Sequence, residues 1–404
     1  MQGVTVILAG GEVETLTRSL LDNGVKYILY SYFYIVAFGK ASFIARMQDE
    51  YPDTLWFLDS GAFTYSVQVK GGMKKLPEPD IYVRNYMDYI EDTGHRWSRI
   101  AEADLDGILT NDGREFVPRE QVYEWTEELL HRFPDYNIMP TYHWWRGTEW
   151  WDKMCEDPRV KCLAIGRAPG SFGHQGKLVR RARAAGKPTH GFAMTRFKTT
   201  LMTVPYDSVD SSSVWMGQKY GHLYIFNNNR IWTIPPDRKH ERKNYAAYWR
   251  SIGCDPKKVA DDDVAEVRKA NVIAWRNIAA RWQVMKQRRD ILQGMPREAM
   301  YLPEERQIVE DGIRLRGYDP HDCKPRETYD PSSNRPLERI FGEGVMEGRA
   351  PLRRDEDRPL IVVPGSETPI VETFKAPKAR PLARFGVPIE DPTRVRARSR
   401  EEQT

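Results

Sequence analysis

The sequence predicts an α/β protein built as a (β/α)8 TIM-like barrel, with additional C-terminal helices and an extended tail. Three observations carry that expectation. Short apolar runs recur from the start to about residue 226, helix-patterned segments separate them, and acidic residues stand where several runs end. Strands covered on both faces read as near-continuous apolar runs, and strands alternating with helices imply a parallel sheet. Eight runs suggest closure into a barrel, and an open doubly wound sheet is the rival.

In chain order the strand runs are Val4–Ala9, Tyr27–Tyr32, Thr54–Leu58, Ile100–Leu105, Ile138–His143, Cys162–Ile165, Thr189–Met194 and Ser208–Asp210. The first ends at a Gly-Gly pair, Gly10-Gly11, which suits a tight turn. The last has little apolar character and is placed mainly by spacing. Between the runs, Glu12–Leu21, Val83–Glu91, Arg119–Arg132 and Gln175–Ala185 read as helices.

Three regions follow from this reading: a barrel over 1–230, a helical extension over 231–319 and a Pro-rich charged tail over 320–404. Within the extension, 262–291 predicts one long helix. Val264, Val267, Asn271, Trp275, Ile278, Trp282 and Met285 recur at three- and four-residue spacing as a mostly apolar stripe. Off the stripe lie Arg268, Lys269, Arg276, Arg281, Lys286, Arg288 and Arg289, with no acidic residue between 267 and 289. Such a face is either a solvated surface or a seat for nucleic-acid phosphates. Twelve of the 27 prolines fall in the last 85 residues, so the tail reads as an extended or disordered arm.

Composition excludes several classes. The 61 basic and 57 acidic residues leave a formal charge of +4, which neither requires nor forbids a nucleic-acid partner. Cysteines at 155, 162, 254 and 323 form no CxxC pair, so neither a disulfide framework nor a tetrathiolate zinc site is expected. No apolar stretch approaches 18 residues and no convincing signal peptide opens the chain, so a cytoplasmic protein is expected.

Catalytic groups of such barrels sit at the C-terminal ends of the strands. Reading just past each run therefore picks out Asp59 and Ser60, Asp104 and Asp106, His143, Gly166, His190 and Asp210. A carboxylate directly after a buried strand costs free energy unless it is paired. Asp59 in WFLDSGAFTY either caps its turn or does chemistry, and Asp210 in YDSVDSSSVW poses the same choice. Asp207 reads as a structural cap. Two facing carboxylates suit covalent attack at a sugar C1′ with proton transfer to or from a base. The same acids with His143 and His190 could instead hold a metal that activates water. The dinucleotide, Walker A, HExxH and G-x-S-x-G signatures are absent.

Taken in order, these segments resemble the queuine/archaeosine tRNA-guanine transglycosylase superfamily, most of all its phage and bacterial branch acting on DNA guanine. DSGAF at 59–63 is similar to the family's Asp-Ser-Gly-Gly-Phe motif, CLAIG at 162–166 to its glycine-bearing strand end, THGFAMT at 189–195 to its His-Leu-Met-Gly strand, and SVDSSSVW at 208–215 to its nucleophile segment. The resemblance implies Asp210 as nucleophile and Asp59 as general acid/base. It implies Asp104 or Asp106, His143, Gly166, Phe192 and Met194 around the base. DNA and a free 7-deazaguanine such as preQ0 are the implied partners, with no metal or other cofactor and with a homodimer left open. Tyr142, Trp144, Trp145 and Trp215 read either as stacking platforms for bases or, for two or three of them, as structural residues. Ala62 and Thr64 depart from the tRNA enzymes, and Cys254 and Cys323 cannot rebuild their C-terminal zinc cluster, which favours DNA. A tRNA substrate, a metal-dependent barrel hydrolase and a non-catalytic nucleic-acid-binding protein stand as alternatives.

Overall fold

Nine parallel strand segments line up as β5-β4-β3-β2-β1-β9-β8-β7-β6 in a computed structural model of the chain. The structure describes residues 4–10, 12–70, 76–107, 115–166, 172–195, 204–227, 230–292 and 307–308, with the side chains of 70, 172, 227, 230 and 283–292 outside that description. The segments are β1 (Thr5–Ala9), β2 (Tyr27–Ser31), β3 (Leu55–Asp59), β4 (Arg99–Ala101), β5 (Ile138–Met139), β6 (Thr141–Tyr142), β7 (Leu163–Ile165), β8 (Thr189–Gly191) and β9 (Ser208–Ser211). The two ends of the row, β5 and β6, are halves of one strand separated only by Pro140. Proline has no N–H to give to a ladder, yet its carbonyl accepts from the Ala164 N–H at 2.9 Å. The row therefore closes on itself, and the fold is an eight-stranded α/β barrel.

Alternate residues on each strand face opposite sides. Ile7, Ala9, Tyr27, Leu29, Leu55 and Phe57 pack together as one inner cluster, and Ala101, Met139, Cys162 and Ala164 form another. Phe192 packs on both, closing the inner core at the C-terminal mouth. The outward residues, among them Val6, Ile28, Leu58, Ile100 and Ile165, pack with the helices in the main core. β1 and β7 end where expected, and the other strands end one to four residues away, most of all at β4. That strand stops at Ala101, so Asp104 and Asp106 lie in the following loop.

Beyond β9 the boundary expected at 230 between barrel and helical extension falls inside a hairpin. Leu223–Asn227 and Arg230–Ile234 form an antiparallel hairpin, a pattern hidden because short apolar runs fit either element. The long helix Val264–Leu292 exists, but its surroundings differ from expectation. It packs on the hairpin, on the helices Ser213–Tyr220 and Glu14–Asp22, and on β1. Nearly every side chain from Ala270 to Trp282 is buried. The basic face expected to be open to phosphates is consequently spent within the chain. Arg281 is fully buried, Arg276 donates to the Asn23 carbonyl, Arg268 to Gln218 and Lys269 to the Gly253 carbonyl. The side chains of Lys286, Arg288 and Arg289 lie outside the described residues. The sequence shows one apolar stripe, whereas this helix is covered from two sides.

The arm expected from 320 lies outside the described residues. Among the described residues no helix is long and apolar enough to cross a membrane.

Candidate active site

At the C-terminal mouth the ends of β1, β3, β4 and β9 bring acidic groups together. Asp59 ends β3, and the turn after it runs through Gly61 at φ +79°, a conformation that favours glycine. A Cβ there would come within 2.5 Å of Phe33 Cβ, so the tight turn also lets the Tyr32–Ala37 helix approach. The Gly61 N–H donates to Asp59 Oδ2 at 3.1 Å. The Asp59 carboxyl is pushed up to about 8, first by burial and then by the negative fields of Asp104 and Asp210, against that one N–H. Tyr82 donates to the Ser60 carbonyl at 2.5 Å and Tyr86 to the Ala101 carbonyl at 2.7 Å, which fixes the ends of β3 and β4.

Asp104 and Asp106, which spacing leaves equivalent, are separated by what each touches. Asp106 is buried and locked: Arg146 meets it through Nε at 2.8 Å and Nη2 at 2.5 Å, and Trp145 Nε1 donates at 2.7 Å. Burial pushes its pKa up, but the Arg146 contacts outweigh burial and hold it below the usual carboxylate range. Arg146 also pairs with Glu102, which accepts from the Thr141 N–H at 2.8 Å. Asp104 instead faces His143, with Nε2 to Oδ2 at 2.7 Å, and takes a weak contact from Ser60 Oγ at 3.5 Å. Trp145 stacks flat on His143, ring centroids 4.5 Å apart at 3°. Gly166 leaves room for this arrangement, since a Cβ would stand 2.4 Å from His143 Cε1.

The Arg146 cluster is structural. Removing its guanidinium leaves two carboxylates buried without their partner, which costs about 3–5 kcal/mol. Arg146→Met is therefore expected to lower the denaturation midpoint sharply at pH 7. Acid should narrow the gap from the wild type, because the stability Asp106 draws from its depressed pKa is lost as pH falls through its folded value. Urea melts of both proteins at pH 7 and at about pH 2, below the ordinary aspartate value, check this; an unchanged midpoint at pH 7 would remove the cluster from the barrel's supports.

Asp210 lies on β9, in register with Ile7 of β1. Its Oδ1 accepts the Ala193 N–H at 2.6 Å, and His190 Nε2 stands 3.5 Å from the same oxygen. Ala193 has φ 55°, a strained value for a residue with a Cβ. Asp207 has the structural role expected, bound by Arg183 at 2.6 Å and by the Thr189 N–H at 2.8 Å.

Other expectations are redistributed. Phe192 meets His190 edge-on at 4.8 Å as part of the mouth's floor, and Met194 is partly buried against the main core. Tyr142 is no stacking platform: it points outward into the main core, edge-on to Trp151. Trp215 is half-buried against Gly10, and Trp144 alone of the four aromatics is exposed, at 54%. The metal set His143, His190, Asp106 and Asp210 is not assembled, since Asp106 is turned to Arg146. Among the described residues no three metal-ligating side chains converge.

The mouth also holds an acid that the sequence reading assigns to a helix. Glu12 precedes the first helix, which starts at Glu14; it is 4% exposed at the end of β1 and accepts the Ser31 N–H. Burial pushes it up to about 7, opposed by that N–H and its own. Its signal in the sequence is the same as that of Asp59, an acid just after a buried strand.

No protein-family model matches the chain, and no curated protein does. Solved structures give distant matches. A putative dihydrodipicolinate synthase family protein from Coccidioides immitis is 9% identical, over 84% of this chain and 93% of its own, with a TM-score of 0.35. A mandelate racemase/muconate lactonizing protein from Herpetosiphon aurantiacus is 11% identical with a TM-score of 0.33. That match covers 52% of this chain, which spans about half, 55%, of the racemase chain.

Proposed function

We propose that this chain is an enzyme, a guanine transglycosylase that replaces guanine in DNA with a 7-deazaguanine base of the preQ0 type. The observation that carries the reading is a pair of carboxyls at one barrel mouth in unequal surroundings. Asp59 is held protonated near neutrality, while Asp210 is aimed by the Ala193 N–H. A carboxyl that keeps its proton near neutrality suits the acid/base role, and a carboxylate oriented by a backbone N–H suits the nucleophile's.

The target nucleotide leaves the stack to reach the mouth. Asp210 Oδ2 attacks C1′ as the C1′–N9 bond breaks. The departing guanine takes the electron pair and a proton from Asp59, leaving a glycosyl ester on Asp210. The incoming 7-deazaguanine then gives its N9 proton to the Asp59 carboxylate. Its N9 forms the new bond to C1′, and Asp210 departs as carboxylate. Asp104, steadied by His143, accepts N–H donors from the base edge, with Gly166 beside it, Phe192 beneath and Met194 at the wall. Asp106 has no place in this scheme. With the Arg268, Lys269, Arg276 and Arg281 side chains engaged within the chain, phosphate contacts fall to other residues.

The preference for DNA over tRNA rests on the C-terminal cysteines, too few for the tRNA enzymes' zinc cluster. Labelled guanine or preQ0 offered with duplex DNA, single-stranded DNA and tRNA tests the reading. Label entering DNA supports it; label entering only tRNA transfers the activity to RNA; no label in any of them overturns it.

A further inference from the structure

The barrel interior carries a row of polar groups that the scheme above does not use. Ser208 sits two residues before Asp210 on β9, and His190 is its register partner on β8. From the other side of the barrel, Arg99 on β4 reaches in. Its Nη1 lies 3.4 Å from Ser208 Oγ, and its guanidinium lies 5.2 Å over the Phe57 ring. His190 Nδ1 is 2.9 Å from the same Ser208 Oγ, and its Nε2 is 3.5 Å from Asp210 Oδ1. Arg99, Ser208 and His190 are at most 2% exposed, whereas the Asp210 side chain, at 12%, reaches the mouth.

A cation inside a barrel is costly and calls for a specific return. Guanidinium nitrogens only donate, so Ser208 Oγ is an acceptor toward Arg99. Its single O–H is then available to His190 Nδ1. An imidazole that accepts at Nδ1 carries its proton on Nε2, the nitrogen facing Asp210.

We propose that Arg99, Ser208 and His190 form a directional relay that positions Asp210 for attack, a role that rests on Asp210 being the nucleophile. The order is Arg99 N–H to Ser208 Oγ, Ser208 O–H to His190 Nδ1, and then an electrostatic contact, longer than a hydrogen bond, from the proton-bearing His190 Nε2 to Asp210 Oδ1 at 3.5 Å. The Ala193 N–H donates to the same oxygen, so that hydrogen bond together with the field of the His190 Nε2–H favours negative charge on Oδ1 and leaves Oδ2 toward C1′. All three are positioning residues, and none touches the sugar or the base. As the ester forms on Oδ2, both N–H groups stay beside Oδ1 and steady its carbonyl for the return step.

Two readouts on the full chain test the relay. In 15N NMR of histidine-labelled protein, the His190 proton should sit on Nε2 in the wild type. It should redistribute toward Nδ1 in Ser208→Ala, a change that a purely space-filling serine would not cause. In base exchange, Ser208→Ala should lose about 10- to 100-fold in kcat with KM for DNA and base within twofold, and Ser208→Thr should recover most of the loss. A wild-type proton on Nδ1, or unchanged kcat in Ser208→Ala, overturns the relay. The NMR arm judges the relay whether or not exchange occurs, and a wild type that exchanges no base counts against the proposed reaction instead.

Discussion

Asp210→Ala is expected to abolish base exchange, by at least about 10³-fold in kcat, with DNA binding retained. The size follows from the role: a covalent nucleophile makes the intermediate on which both half-reactions depend, and no neighbour substitutes in place. Denaturing gels of enzyme mixed with labelled DNA should show a covalent adduct for the wild type and none for Asp210→Ala or Asp210→Asn. The fold should survive. The Asp210 side chain lies at the mouth, and its main partner among the described residues is one N–H, that of Ala193. Losing that bond should cost about 1 kcal/mol and let the strained φ of 55° at Ala193 relax. Full exchange by the alanine variant would move the nucleophile elsewhere, with Asp104 the next acid to test.

The second large effect belongs to Asp59. Asp59→Asn cannot supply the proton that departing guanine needs, and turnover should fall about 10²- to 10⁴-fold. The same substitution should stabilise the fold at alkaline pH. Asp59 rises from 3.8 in the unfolded chain to about 8 in the folded one. The folded state therefore holds a proton that the unfolded state has lost between those values. Its stabilising contribution is fully present below 3.8 and is lost as pH rises through about 8. Asparagine carries no charge at any pH, so the variant's advantage should be largest above pH 8 and vanish near pH 4. Thermal melts at pH 4, 7 and 9 read this directly. In single-turnover guanine release, the wild-type rate should fall above about pH 8, and the residual rate of Asp59→Asn should lack that limb. An identical alkaline limb in the variant would take the proton-transfer role away from Asp59. Equal melting temperatures at pH 9 would contradict a raised carboxyl.

Both predictions concern residues legible in the amino-acid sequence, because both acids stand where a run of strand-like residues ends. Glu12 stands in the same position, yet the Gly-Gly before it marks a turn and makes it look like a helix start. Asp104 and Asp106 show where local pattern stops being informative. They share one loop, one charge and nearly one distance from the strand, and only the placement of Arg146, forty residues on from Asp106, separates them. Arg146 itself has no sequence signal, as a lone arginine after two tryptophans looks like surface. The basic face of the long helix misleads for a related reason. Its periodicity is real, but periodicity records one buried face and is silent about a hairpin packed on the other.

What the sequence by itself determined is therefore local: the number and spacing of strands, the alternation with helices and the acids at strand ends. All of these follow from backbone periodicity and the cost of burying a charge. The tertiary structure alone decided which distant residues meet. It closed the ring through Pro140, joined β1 to β9 and so brought Asp210 to the mouth shared with Asp59, and ran Arg99 across the interior to Ser208. Such encounters are set by strand register and barrel closure over more than a hundred residues, and no local window of the chain contains both partners.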